Sequence, residues 1–455
     1  MRRRDFLKGV GLSTVASILP DLASGRAARA KSVSGKKPNI LIIFVDDMGY
    51  VDLGCYGGKE IPSPHIDSIA AKGVRFTNGY VSCPVCSPTR AGLITGRYQQ
   101  RFGYYTNAES RIGLPTTEKT IADVLKAAGY VTGAVGKWHL GASPEFHPYK
   151  RGFDEFFGFL GGAHSYVDPL LKSTNPILRG TELFDEKEYL TDAFTREAIS
   201  FIRRHKDEPF FLYLAYNAVH GPLQAPERYR DSFADIADKN RRTYAGMLAA
   251  LDEGVGKVLA QLRQLGLEED TLLFFINDNG GATKNASDNG PLRDRKGTLF
   301  EGGIRVPFMT RWPGRLSAGQ VYDHPIICLD IFATAVTAAG AELSQDLKLD
   351  GANLIPYLTG EKKTQPHQVL FWDYGENRYA VRKANFKLVK MSDDAMLFDL
   401  STDIAEAKDL KKAKPDIFSE LEDHYKQWSA QMPEPLWVPK RDRPKEKQKK
   451  QKKKI

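Results

Sequence analysis

Residues 39–47 read NILIIFVDD, an unbroken apolar run that stops at two adjacent aspartates. A run of this length without polar alternation is the pattern of a strand buried on both faces, as in a parallel sheet. Two more runs repeat it. PFFLYLAY at 209–216 is followed by Asn217 and then His220, and TLLFFI at 271–276 by Asn277-Asp278-Asn279-Gly280-Gly281. Helical patterns lie between them. EKTIADVLKAA (118–128) stops at Gly129, and 241–265 carries Met247, Leu248, Leu251, Val255, Val258, Leu259 and Leu262 at the spacing of one helix face. Strands alternating with helices predict an α/β sheet covered on both faces. Ligands of such sheets sit beyond the carboxyl ends of the strands, where each run places its polar cluster. Asp-Asn-Gly-Gly alone is equally a turn. Clustered carboxylates, however, repel one another unless a cation stands among them. Asp46, Asp47, Asp278 and Asn279 offer only hard oxygen ligands, which suit Ca²⁺ or Mg²⁺ and not zinc.

The chain has 455 residues, enough for two or three domains, and a formal charge of +9 that sits at its ends. Residues 1–30 carry net +4 and Lys440–Lys454 net +8, leaving −3 for the body. The first thirty residues have a basic start, an apolar stretch near Val10–Leu19 and a small-residue end at Ala28-Arg29-Ala30, the build of a signal peptide; an uncleaved amphipathic anchor is the other reading. The block Arg3-Arg4-Asp5-Phe6-Leu7-Lys8 resembles the bacterial twin-arginine export signal. No later stretch reaches the ~20 apolar residues of a spanning helix, so a periplasmic or secreted protein without stable membrane insertion is expected. The tail, PKRDRPKEKQKKQKKKI, has the composition of a disordered segment, read either as solvated or as attracted to polyanions.

Four cysteines, Cys55, Cys83, Cys86 and Cys328, are too few for a disulfide framework. Cys83 and Cys86 stand three apart in CPVCSPTRAGLITGR (83–97). This pair admits a redox dithiol, half a zinc site, a disulfide, or one reactive cysteine beside a bystander. No other Cys or His pair has metal-finger spacing, and no small βαβ redox domain surrounds the motif. Pro88 suits the first turn of a helix, which places Cys86 at the N-terminus, where the dipole favours negative charge. Arg90, four residues on, shares that face, and its fork matches the paired oxygens of a sulfate ester.

CSPTRAGLITGR (86–97) resembles the signature of the sulfatase family through Cys86, Pro88, Thr89, Arg90 and Thr95-Gly96, with threonine where serine is commoner. GYVTGAVGKWHLG (129–141) resembles the family's second signature, and the similarity runs from about Asn39 to Gln431. The resemblance implies that Cys86 is converted to formylglycine by a formylglycine-generating enzyme. Its hydrated aldehyde would attack sulfur with one hydroxyl and release sulfate through the other. It further implies a single Ca²⁺ held by Asp46, Asp47, Asp278, Asn279 and modified Cys86. Arg90 would hold the diol or balance the aspartates, and Lys137 and His139 would bind sulfate and orient or deprotonate the diol. His220 would protonate the leaving oxygen, and Lys296 would contact sulfate, with Arg293 and Arg295 as rivals for that role. Cys83 becomes the bystander. His164, in GGAHSY, is a further pocket candidate without an assigned role.

From 370 to 400, FWDYG, YAVRK, FKLVK and MLFDL alternate with turns, predicting a small antiparallel sheet, with a helix over 417–428 packed on it. The expected organisation is a signal peptide (1–30), a catalytic domain of the alkaline phosphatase/sulfatase type (36–345), a smaller α+β domain (346–436) and a basic tail (437–455). The fold class is a large, mixed, mostly parallel sheet sandwiched by helices, with that smaller C-terminal domain. The expected function is hydrolysis of sulfate esters, of carbohydrates by inference from export and from the family. A phosphate or phosphonate ester hydrolase of the same superfold and a catalytically silent polyanion-binding protein are the alternatives. The expected partners are the substrate, the maturation enzyme and the twin-arginine machinery, with no nucleic acid.

Overall fold

A computed structural model describes residues 37–107, 112–167, 175–342 and 347–437. The segment expected to be a signal peptide and the basic tail beyond Trp437 lie outside the described residues. Ten strands form one sheet in the order 320–322, 74–76, 308–311, 271–277, 39–45, 210–215, 131–137, 155–159, 178–179, 182–183. The five central strands, from Thr271–Asn277 to Glu155–Phe159, are parallel. Antiparallel pairs flank them on both sides, so the sheet is mixed and mostly parallel, as expected.

Each of the three apolar runs is a strand at the sheet's centre, and the Asn39–Val45 strand is buried along its whole length. Its alternate residues feed different cores. Ile40, Ile42 and Phe44 pack with Leu93, Ile121 and Phe332, whereas Leu41, Ile43 and Val45 pack with Phe194, Leu248 and Val255. The helices Cys86–Thr95, Ile121–Ala127 and Asp330–Ala338 therefore cover one face, and Leu190–Arg204 and Lys239–Gln264 the other. Side chains alternating across a pleated strand require an apolar layer on each side, which explains the unbroken run.

Helix boundaries follow their caps. The helix expected over 118–128 starts at Ile121 because Thr120 and Asp123 form a reciprocal capping box. That expected over 241–265 starts at Lys239 because the Asp238 carboxylate accepts the Arg241 N–H at 2.8 Å.

The C-terminal sheet is antiparallel, in the order 369–373, 379–383, 386–390, 395–399. One face, with Val381, Leu388 and Leu397, packs on the helix Pro415–Ser429. The other, with Trp372, Ala380 and Val389, joins the core of the large sheet. Trp372 donates its indole N–H to Val81 O at 2.7 Å. Trp437, counted with the basic tail in the sequence, is buried edge-on against Tyr104. Among the described residues no helix is long and apolar enough to cross a membrane.

Candidate active site

Four adjacent strands deliver the polar residues to one end of the sheet. The Asn39–Val45 strand ends at Asp46 and Asp47, Thr271–Asn277 at Asp278 and Asn279, Phe210–Ala215 runs on to Asn217 and His220, and Val131–Lys137 ends at Lys137 and then His139. Cys86 opens the helix Cys86–Thr95 after Val85 in extended conformation, with Pro88 in the first turn. Asp47 (φ 61°) and His139 (φ 58°) both hold left-handed backbone, an unfavoured state that is tolerated where surrounding structure fixes a functional side chain.

The side chains interlock around the carboxylates. Lys137 Nζ lies 2.5 Å from Asp46 Oδ2. Arg90 Nη2 donates to Asp278 Oδ2 at 2.8 Å and sits 3.6 Å from Asp46 Oδ2, while Nη1 donates to Lys137 O at 3.1 Å. Its guanidinium rests 4.9 Å from the centre of the Phe44 ring. Of the two roles open to Arg90, its contacts are those of a counter-charge to the aspartates. Lys296 Nζ donates to Asp47 Oδ1 at 2.6 Å and approaches Cys86 Sγ at 3.2 Å. Arg293 instead donates to Glu406 O and stacks on Phe300, and Arg295 is exposed. Of the three, Lys296 is the one that the fold places beside Cys86.

Asp46, Asp47, Cys86 and His220 each direct one ligand atom into a space where all four lie within 4.8 Å of one another. Asp46 Oδ1 and Asn279 Oδ1 are buried without a hydrogen-bond partner, while Asn279 Nδ2 donates to Asp47 Oδ1 at 2.7 Å. Orphaned buried oxygens are costly unless something electropositive meets them, so the donor set fits a hard cation. Asp278 is not one of these four: its Oδ2 accepts Arg90 Nη2 at 2.8 Å and its Oδ1 the Asp47 N–H at 3.3 Å.

The titratable groups respond to their surroundings. Burial raises Asp46, but Lys137, His220 and Arg90 outweigh it and hold the carboxyl below its usual range. Burial and the neighbouring charge of Asp46 push Asp278 up. Burial lifts the Cys86 thiol to about 11 against the pull of Lys137 and Lys296, so the cysteine itself is a thiol and not a nucleophilic thiolate near neutrality. Cys83 and Cys86 are both free, and Cys83 Sγ faces Tyr105 O. Burial, then Lys137, Arg90 and Lys296, drive His139 well below its usual value, so its ring is neutral. His220 donates Nδ1–H to Gly221 O at 2.6 Å, since a carbonyl can only accept, which turns Nε2 toward Asp47 Oδ2 at 3.6 Å.

Several neighbours were not singled out from sequence. Asn217 is buried with both side-chain polar atoms unpartnered; its place directly after a buried strand was the available signal. The single Tyr166 O–H is shared between Asn217 O at 2.5 Å and His220 O at 2.8 Å, which ties down the His220 loop. Ser87 joins Tyr104 OH at 2.5 Å and His139 O at 2.6 Å. The loop containing His164 closes over His139: a Cβ on Gly162 would meet His139 Nε2 at 2.7 Å. A groove of about 820 Å³ lined by Glu188, Asp192, Arg196, Arg228 and Lys257 shares no residue with this cluster.

Two family models match the chain, Sulfatase over residues 38–341 and N-sulphoglucosamine sulphohydrolase, C-terminal, over 294–431. The chain is 37% identical over 379 residues to N-acetylgalactosamine-6-sulfatase of Rattus norvegicus, a match covering 77% of this chain and 71% of that one. Among solved structures it is similar to Ps i-CgsB in complex with k-i-k-neocarrahexaose, with a TM-score of 0.85, 37% identity, and coverage of 89% of this chain and 95% of that one. A Bacteroides thetaiotaomicron protein from the metabolism of multiple glycosaminoglycans matches with a TM-score of 0.76 and 27% identity over 87% of this chain and all (100%) of its own.

Proposed function

The chain belongs to the sulfatase family and is a sulfuric ester hydrolase, and from that premise we propose that it desulfates carbohydrate using formylglycine formed from Cys86 beside one calcium ion. The observation that carries this reading is the convergence of Cys86 and Lys296 with buried, unpartnered oxygens of Asp46 and Asn279. A carbohydrate substrate is supported by the sugar named for the rat relative and the neocarrahexaose bound to Ps i-CgsB.

Asp46, Asp47, Asp278 and Asn279 would hold the ion together with modified Cys86. When bound, the ion supplies positive charge at a sulfate oxygen and favours ionisation of a hydroxyl on the hydrated aldehyde. Formylglycine provides two hydroxyls where a serine has one, so the residue is not left esterified.

The other side chains divide the remaining work. Lys137 and Lys296 present cations to the sulfate, and the N-terminus of the Cys86–Thr95 helix adds its dipole. Arg90 keeps the aspartates ionised at close quarters by pairing with Asp278 and Asp46. His139, neutral in its buried setting, accepts the proton whose loss releases sulfate. His220, with Nδ1 committed to Gly221 O, donates from Nε2 to the leaving oxygen.

Maturation by a formylglycine-generating enzyme and export through the twin-arginine route to the periplasm or medium complete the proposal, supported by the motif at Cys86 and by the first thirty residues. The test is the mass of the Cys86 peptide from a host that forms formylglycine, together with sulfate release from sulfated oligosaccharides. An aldehyde or its hydrate with sulfate release is expected. An unmodified thiol, or preference for phosphate diesters, would overturn the reading.

A further inference from the structure

Lys296 reaches Asp47 and Cys86 from a loop, and a residue far along the chain grips that loop at two points. Glu406 is fully buried, and its carboxylate Oε2 accepts the Glu301 N–H at 2.6 Å. Its backbone carbonyl accepts Arg293 Nη1 at 2.6 Å. Arg293 and Glu301 bracket Lys296 in sequence. The loop also closes on itself through Gly302 N–H to Arg293 O at 2.8 Å, and touches the Cys86 side through Gly297 N–H to Pro84 O at 2.9 Å.

Glu406 is itself held firmly. Lys387 Nζ bonds Glu406 Oε1 at 2.9 Å and Glu301 Oε1 at 2.7 Å, and all three side chains are buried. Glu301 Oε2 in turn accepts from Tyr80 OH at 2.7 Å and pairs with Arg305 at 3.2 Å, and Arg382 closes the network on Tyr80. The backbone of Glu406 is left-handed, φ 50°. A glutamate retained in this unfavoured conformation needs surroundings that over-determine it. The two grips supply them, since side chain and carbonyl must face the same loop at once.

We propose that Glu406 is a positioning residue for Lys296: by holding Arg293 and Glu301 it sets the loop that brings the ammonium group to Asp47 and Cys86. The proposal rests on the reading of Lys296 as a sulfate-contacting residue. A carboxylate is suited to the task because it accepts from a backbone N–H and a lysine at once.

The test uses full-length protein from a formylglycine-forming host, with Glu406→Ala, Glu406→Gln, Lys296→Ala and the Lys296→Ala/Glu406→Ala double variant. Turnover of 4-nitrocatechol sulfate and amide hydrogen exchange over residues 293–302 are both read. Glu406→Ala is expected to lower kcat/KM roughly 10- to 100-fold, as displacement of a charged group by about 1 Å can do. The double variant should be no worse than Lys296→Ala, because both remove one function. Exchange should quicken at Glu301 and Gly302 while the central strands stay protected, and Glu406→Gln, which keeps one acceptor oxygen for the Glu301 N–H but turns an NH2 toward Lys387, should recover only part of the activity. Losses that simply multiply in the double variant, or unchanged exchange at Glu301, would overturn the proposal. If Glu406→Ala does not fold, Glu406→Asp, with the charge kept and the reach shortened, is judged by the same two outcomes. If the wild type cleaved no sulfate ester, the functional reading would fall, and exchange at Glu301 would still decide whether Glu406 holds the loop.

Discussion

Lys137 Nζ lies 2.5 Å from Asp46 Oδ2, with both side chains wholly buried at the ends of strands separated only by the Phe210–Ala215 strand. A buried pair of this kind contributes modestly when intact, but breaking it strands the remaining charge. Lys137→Ala is therefore expected to destabilise the protein by about 3–5 kcal/mol. With Lys137 proposed to present its cation to sulfate, its loss should also lower kcat by roughly 10²–10³-fold. Denaturant melts and aryl sulfate kinetics check the two parts separately, and an unchanged midpoint would mean that Asp46 is compensated by Arg90 alone.

The two neighbouring cysteines separate cleanly. Cys86 meets Lys296 at 3.2 Å, whereas Cys83 looks away toward Tyr105 O at 3.8 Å. Cys86→Ala should abolish sulfate release. Cys83→Ala should leave kcat unchanged and cost about 1 kcal/mol for the small void. A Cys83→Ala protein that folded but had lost turnover would revive the redox reading of the pair.

The parts of the fold that could be read from sequence were those whose burial writes a pattern. Three runs of six to eight apolar residues each became a central strand because both faces of the sheet are covered. The strands Val74–Phe76 and Gln320–Tyr322 were not foreseen, since three residues are too few to show a period. In the site, residues directly following buried strands were visible as polar interruptions, so Asp46 and Asp278 could be named, whereas His220, five residues past its strand, rested on the family resemblance. Choosing Lys296 over Arg293 and Arg295 depended on which way a loop turns. Glu406 left no trace at all: it follows a turn-rich stretch, and only the fold brings it to Glu301, 105 residues earlier.

Chelation should destabilise the folded protein, because Asp46 Oδ1 and Asn279 Oδ1 lack any other partner and Asp46, Asp47 and Asp278 are packed together. A ligand at a hundred times its Kd stabilises by about 2.7 kcal/mol. EGTA treatment is thus expected to lower Tm by several degrees, with recovery on adding Ca²⁺. Asp46→Asn protein should show a smaller response. Identical melting curves with and without EGTA in wild-type protein would argue against a resident cation at this site.

A second titratable pair, away from the candidate active site, gives stability a predicted pH dependence. His367 Nε2 lies 2.7 Å from Asp330 Oδ1, and the same carboxylate accepts the Ile327 and Ala352 N–H groups at 2.8 and 2.7 Å. Burial opposes a charge on His367, but Asp330 outweighs it, so the folded-state value lies above the ordinary 6.5. The native state then binds more protons than the unfolded chain between 6.5 and that higher value. The contribution is fully present below pH 6.5 and is lost as pH rises through the folded-state value. His367→Gln, which retains a donor without the charge, should melt earlier than wild type at pH 5.5 and approach it at pH 9. Parallel Tm profiles for the two proteins from pH 5.5 to 9 would show that His367 stays neutral beside Asp330, with the carboxylate sustained by its two backbone donors alone.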